Sequence, residues 1–185
     1  MKALFKAILL IVALLALGCE QRTEETDSGG VLIEVEFSNT VLRVGVEETE
    51  VLTIPTINVN SIVADPTATT SSLMDVQLRT LEVVFSRADT GTRVPPPYIF
   101  NIIGTVPVGG TLTLNNFPIM STEQTRTPPL SDLLLVNGGF DRETGSTTIR
   151  LNATFRAFGT TLTGTSVSSV PRTQTIEFVQ SLTFF

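Results

Sequence analysis

The sequence holds no histidine and no tryptophan, with a single cysteine and a single tyrosine among 185 residues. Lysine occurs only at Lys2 and Lys6. Each scarcity removes a branch of chemistry. Without histidine, the usual general base near neutral pH and the commonest metal ligand are missing, and no Ser-His-Asp triad can be assembled. One cysteine gives neither an internal disulfide nor a zinc site built on Cys and His. Beyond Lys6 there is no amine for a Schiff base or a Ser-Lys dyad. Carboxylate chemistry is what remains. Paired carboxylates acting on a glycoside would find a sugar-stacking cleft poorly supplied, with no Trp and Tyr98 the only Tyr. The expectation is a chain that is not an enzyme and carries no cofactor.

The lone cysteine stands at the end of an apolar run. The chain opens MKALFKAILLIVALLALGC. Lys2 and Lys6 form a positive start, and Ala7 to Leu17 is an unbroken apolar run of eleven residues. That is the length of a secretory signal core, roughly 7–15 residues, and well short of the roughly 20 needed to span a bilayer as a helix. Small Gly18 then precedes Cys19.

This segment resembles a bacterial lipoprotein signal, whose box is cut just before a cysteine. Gly18 and Cys19 match the box, while Ala16 and Leu17 invert its usual order of Leu before a small residue. The resemblance implies a signal peptide helix over residues 1–18, cleavage between Gly18 and Cys19, and lipidation of Cys19. The sulfur would carry diacylglycerol and the new amino group an acyl chain such as palmitate. Two or more chains anchor stably where one does not. The membrane, reached through that anchor, is thus an expected partner. In the enteric sorting rule an Asp after the cysteine retains the protein in the inner membrane. Glu20 stands there instead, so the resemblance favours the outer membrane of a bacterial cell envelope.

Residues 19–30 are expected to be the lipidated cysteine and a flexible tether. EQRTEETDSGG (20–30) has no apolar residue and buries nothing to offset the entropy of ordering. Removal of residues 1–18 takes both lysines and leaves ten arginines against eighteen acidic residues, a net charge of −8. That balance argues against nucleic acid as a partner and against adhesion to anionic headgroups.

After the tether, short alternating segments replace any sustained helical period. The clearest is TTIRLNATFRAF (147–158), with Ile149, Leu151, Ala153 and Phe155 on one face and Arg150, Asn152, Thr154 and Arg156 on the other. VLIEVEFS (31–38), VLRVGV (41–46) and VLTIPTINV (51–59) precede it, and Pro55 demotes the third to an edge or kinked strand. Val76 and Leu78 share one phase and Leu81, Val83 and Phe85 the other, so a β-bulge is expected near Arg79–Leu81. Asp89-Thr90-Gly91 marks a turn, and PPPY (95–98) an extended lead-in to the next strand. STEQTRTPPLSD (121–132) reads as a polar loop, LLLV (133–136) as a short buried run, and NGGFDRETGS (137–146) as a long hairpin connection. The last strand alternates through Ile176, Phe178, Leu182 and Phe184.

Many short strands with turn-rich connections predict an all-β fold, an antiparallel β-sandwich. The pattern LEVVFSRADTG…VPPPY…VGGTLTL…ATFRAFGTTLTG resembles the immunoglobulin-like sandwich domains of bacterial envelope lipoproteins. One domain is expected over 31–185, with 31–72 adding strands to a core sandwich over 73–185. A block of about forty residues is too small to fold alone.

The candidate sites are few. Asp141 and Glu143, in DRETG, have the spacing of two ligands of a hard cation but lack the further acidic ligands of a full loop. Glu47-Glu48-Thr49-Glu50 is a like-charge cluster suited to a solvated loop, a cation or a basic partner. PPPY matches a ligand motif of WW domains, and Asn152-Ala153-Thr154 is a glycosylation sequon on an expected strand. The terminal Phe185 lacks the alternating apolar phase of an outer-membrane barrel, and Arg150 and Arg156 face outward. The functional expectation is a membrane-anchored envelope lipoprotein in a structural or protein-interaction role, meeting an envelope protein through the connections 85–100 and 121–130 or through an edge strand. The alternative is a periplasmic carrier of an apolar ligand or lipid held between the sheets.

Overall fold

A computed structural model of the chain describes residues 30–37, 42–48 and 52–182. The signal segment, Gly18 and Cys19 lie outside these residues. Among the described residues nine strands form one mixed, open sheet: β1 (Val31–Phe37), β2 (Leu42–Gly45), β3 (Thr53–Val63), β4 (Val76–Arg87), β5 (Tyr98–Val106), β6 (Thr111–Pro118), β7 (Thr148–Thr161), β8 (Ser166–Val170) and β9 (Arg172–Val179). Two ladders are recognisable within it. One runs β2-β9-β7-β4-β5 and the other β8-β1-β3-β6.

β8 joins them. It pairs with β7 (Phe158↔Ser168) and, in parallel, with β1 (Ile33↔Ser169). Between β8 and β9 the pairing against β7 slips by one residue across Pro171. A proline offers no ladder donor, so this is where the strand passes from one ladder to the other.

The alternating patterns dictate which faces are buried. Val31, Ile33 and Val35 of β1 are buried, as are Ile149, Leu151, Ala153 and Phe155 of β7, while Arg150 and Arg156 are exposed. In β4 the buried positions are Val76 and Leu78, then Leu81, Val83 and Phe85. The phase changes where the register against β7 shifts, between Leu78 and Thr80. One extra residue turns both halves of the strand toward the same core. Both ladders contribute to a single hydrophobic cluster. Phe37 of β1 meets Phe155 of β7 with ring centroids 4.9 Å apart, and Phe100 of β5 meets Phe117 of β6 edge-on at the same distance. The chain is therefore mostly β, with an interior compatible with a β-sandwich.

Several expectations are corrected. The sheet is mixed, because β1 pairs β8 and β2 pairs β9 in parallel. Parallel neighbours need long connections, and the chain between Gly45 and Ser166 supplies them. β3 is an interior strand between β1 and β6. Pro55 is accommodated because this end of β3 pairs only with β6 among the described residues, opposite Asn116 at φ +50°.

Residues 121–132 are built rather than loose. A short helix α1 (Thr122–Thr125) is followed by the 3-10 helix Leu130–Leu133, with a cis peptide at Pro128–Pro129. Of LLLV only Leu133 is fully buried, and Leu135 and Val136 are 69% and 87% exposed. The run is broken by the 3-10 turn Leu135–Asn137, which points these two outward. Residues 137–146 link that turn to β7 and do not close a hairpin. Leu182 is exposed because β9 ends at Val179.

Candidate functional site

The strongest concentration of charge lies at one end of β4. Arg87 is the last residue of that strand. The odd positions of its second half face the core, so Arg87 continues the buried row begun by Leu81, Val83 and Phe85. A guanidinium carried there must find anions or leave a buried charge unpaired. It finds three. Nε lies 2.6 Å from Asp89 Oδ1, Nη2 2.7 Å from Asp141 Oδ2, and Nη1 4.0 Å from Glu143 Oε2. The Arg87 side chain is 3% exposed and that of Asp141 is 0%.

A second guanidinium closes the cluster. Arg93 Nη2 lies 2.8 Å from Asp132 Oδ2 and 3.5 Å from Asp141 Oδ1. Arg142 reaches Asp132 Oδ1 at 3.6 Å from the solvent side. The backbone completes the arrangement. Asp89 accepts from the Gly91 and Arg150 N–H groups, and Glu143 accepts from those of Thr92 and Arg93. Asp141 accepts from Thr144 Oγ1 and from the Glu143 N–H. Four carboxylates and three guanidinium groups thus pin the turn after β4, the 3-10 helix at 130–133 and the turn before β7.

Protonation follows this geometry. Burial by itself would push the Asp141 carboxyl up. The bonds from Arg87, Thr144 and the Glu143 N–H, with the charge of Arg87, outweigh it and hold the group at about 2 instead of 3.8. Burial also opposes ionisation of Asp89, yet Arg87 and the Arg150 and Gly91 N–H groups hold it below its ordinary value. Glu143 is lowered chiefly by the Arg93 N–H and by Thr92. Asp141 and Glu143 both face arginine side chains, those of Arg87 and Arg93. Among the described residues no group of three or more His, Cys, Asp or Glu is arranged to hold a metal ion.

Glu47 and Glu48 are engaged with the end of the chain. Glu48 Oε1 accepts from Ser181 Oγ and the Leu182 N–H, both at 2.8 Å, which lowers its pKa. Glu47 Oε1 accepts from Gln180 Nε2 at 3.1 Å. Thr49 and Glu50 lie outside the described residues. Asn152 sits on β7 and its Oδ1 accepts from Thr175 Oγ1 at 2.9 Å. In PPPY, Pro95 is buried and β5 begins at Tyr98. Pro96 O accepts from Gln124 Nε2 at 2.7 Å, so the connections 85–100 and 121–130 are packed on one another.

A cavity of about 520 Å³ opens where β1, β2, β3 and β9 converge, lined by Phe37, Leu42 and Ile54 together with Glu36 and Arg172. Sequence reasoning missed the roles of Arg87, Arg93 and Asp132. The available signal was the pairing of two arginines in 87–93 with the acidic stretch 141–143 in a chain poor in cations. Compared with known proteins, the chain matches no family model and no curated protein.

Proposed function

We propose that this chain is a bacterial envelope lipoprotein, anchored by acyl groups on Cys19, that acts by binding another envelope protein and not by catalysis. The observation that carries this reading is the position of the lone cysteine. It ends an apolar run behind Gly18 and stands twelve residues ahead of the first strand at Val31. The polar segment 20–30 between them suits a tether. Glu20 favours the outer membrane.

The strand order supports an immunoglobulin-like sandwich for the domain. The ladder β1-β3-β6 corresponds to strands A, B and E of that fold, and β9-β7-β4-β5 to G, F, C and C′. In this reading the ionic cluster around Arg87 is a structural clamp. Its charges are satisfied by one another, and it fixes 88–97 against 121–133 as a single surface on which Val94, Pro97, Glu123 and Arg126 are exposed. Rigid loops on a β scaffold are the ordinary means of protein recognition.

A second reading is favoured by the cavity beside Phe37. At about 520 Å³ it falls within the range of small-ligand pockets, and a carried ligand would lie between apolar Phe37, Leu42 and Ile54 and polar Glu36, Asn58 and Arg172. Cross-linking the lipidated protein in its envelope, followed by detergent extraction and mass spectrometry, separates the two. A stoichiometric protein cross-linked through 85–100 or 121–130 supports the interaction role. A co-purifying lipid with no protein partner supports the carrier.

A further inference from the structure

The free edge of β5 is unlike the other edges of the sheet. Among the described residues β5 pairs only with β4. Natural edges are guarded by shortness, charge, proline or a kink, because their unpaired N–H and C=O groups accept any further strand. β2, at the far end of the same ladder, is four residues long and carries Arg43. β6 exposes only polar residues at Thr111, Thr113, Asn115 and Asn116, and it ends in Pro118 after a residue at φ +50°. β5 has nine residues, YIFNIIGTV, with no charge and no proline; its one irregularity is a register shift against β4 between Asn101 and Gly104, and Ile99 and Ile103 are 62% and 103% exposed. The absence of charge extends further, for no Asp, Glu, Lys or Arg occurs from Val94 to Thr122.

From this we infer that β5 is the dimerisation strand of the protein, adding antiparallel to β5 of a second copy and continuing the β2-β9-β7-β4-β5 ladder through a two-fold axis at Asn101. Three observations select a second copy as the occupant. The exposed positions of β5 are Ile99, Asn101, Ile103 and Thr105, alternating along the strand, with one register shift against β4 between Asn101 and Gly104. In an antiparallel pair centred on Asn101, Ile99 of one copy stands opposite Ile103 of the other, and the reverse holds by symmetry. The two apolar side chains are therefore spaced to meet each other twice, while the two Asn101 amides meet at the axis as mutual donor and acceptor. A two-fold interface requires just such self-complementarity. Thirdly, a chain of net charge −6 repels its own copies over most of its surface, and the span 94–122 is where that repulsion is absent. Within β5 itself a charged partner would find no counter-charge; the nearest are Arg79 and Glu82 of β4.

This deepens the interaction role by naming the occupant of one edge, and it does not depend on the anchor at Cys19. The test uses the full chain in nonionic detergent, with Asn101→Cys introduced and mild oxidation applied. Residues facing each other across an antiparallel ladder stand about 4.5–5.5 Å apart at Cα, within disulfide reach. Asn101→Cys should form a covalent homodimer well above the background that Cys19 gives in the unsubstituted chain. Thr113→Cys, on the exposed face of β6, should stay at that background. Adding Ile103→Lys to Asn101→Cys should abolish the dimer and leave the melting temperature near its original value. Equal cross-linking from Asn101→Cys and Thr113→Cys would overturn the inference, as would a dimer that survives Ile103→Lys. An acylation failure at Cys19 with the Asn101 cross-link intact would count against the anchor alone.

Discussion

Arg87 and Asp141 stand fifty-four residues apart in sequence, yet Arg87 Nη2 donates to Asp141 Oδ2 at 2.7 Å with both side chains shut off from solvent. The pair binds the end of β4 to the turn that launches β7, its partner in the sheet. Breaking a buried pair leaves one charge without its counter-ion, which costs about 3–5 kcal/mol. Asp141→Ala is expected near the lower end, about 3 kcal/mol, because Asp89 still faces Arg87 at 2.6 Å. Arg87→Ala should cost at least as much. The double variant should lose far less than the sum of the two. Urea unfolding of the four chains measures the coupling, and strict additivity would refute the clamp.

Acid should weaken the fold through the same group. Asp141 is held at about 2 in the folded chain against 3.8 ordinarily, so between these values the unfolded chain binds more protons. Its contribution is complete above about pH 4 and is lost as the pH falls through about 2, an amount of roughly 2 kcal/mol. Asp89 and Glu143 are lowered too and act in the same direction. The urea midpoint should fall steeply across this window, and Asp141→Asn should give a shallower fall from a lower starting value. Identical slopes for the two chains would show that Asp141 is not the titrating group.

Gly159 lies in β7 beside the bulge of β4. A Cβ there would meet Gln77 O at 2.6 Å and Val76 Cγ1 at 2.8 Å. Backbone cannot give way as a side-chain tip can, so Gly159→Ala should cost about 1–3 kcal/mol. Gly104→Ala meets only the flexible end of Leu112 and should cost less. Thermal melting of both variants checks the order, and a smaller loss at Gly159 would contradict the close approach.

What the sequence disclosed and what it hid differ by the range of the interaction. The strand at 147–158, the phase change at 79–81 and the extended lead-in at 95–98 are local patterns, legible because strand periodicity and proline act on neighbouring residues. The capping box that starts α1 was equally local: Ser121 Oγ accepts from the Gln124 N–H while Gln124 Oε1 accepts from the Ser121 N–H. It was there to be read in STEQ. The burial of Asp141 was not. DRETG has the composition of a solvated turn, and only the tertiary approach of Arg87 and Arg93 makes Asp141 an interior residue. The parallel pairings of β1 and β2 were hidden for the same reason. Their partners lie more than a hundred residues away.

Replacing the cysteine separates the proposed anchor from the fold. Cys19→Ala should leave the β domain's melting temperature unchanged, since β1 begins at Val31, while processing before residue 19 and acylation are lost. Membrane fractions washed with high salt should retain the original chain. A variant cleaved and acylated like the original would rule out this anchor.

The most direct measurement is the intact mass of the chain extracted from the cells that make it. The species expected from lipidation at Cys19 lacks residues 1–18 and carries a diacylglyceryl group and an amide-linked acyl chain on Cys19. A chain that keeps residues 1–18, or one that ends in an unmodified Cys19 thiol, would contradict it.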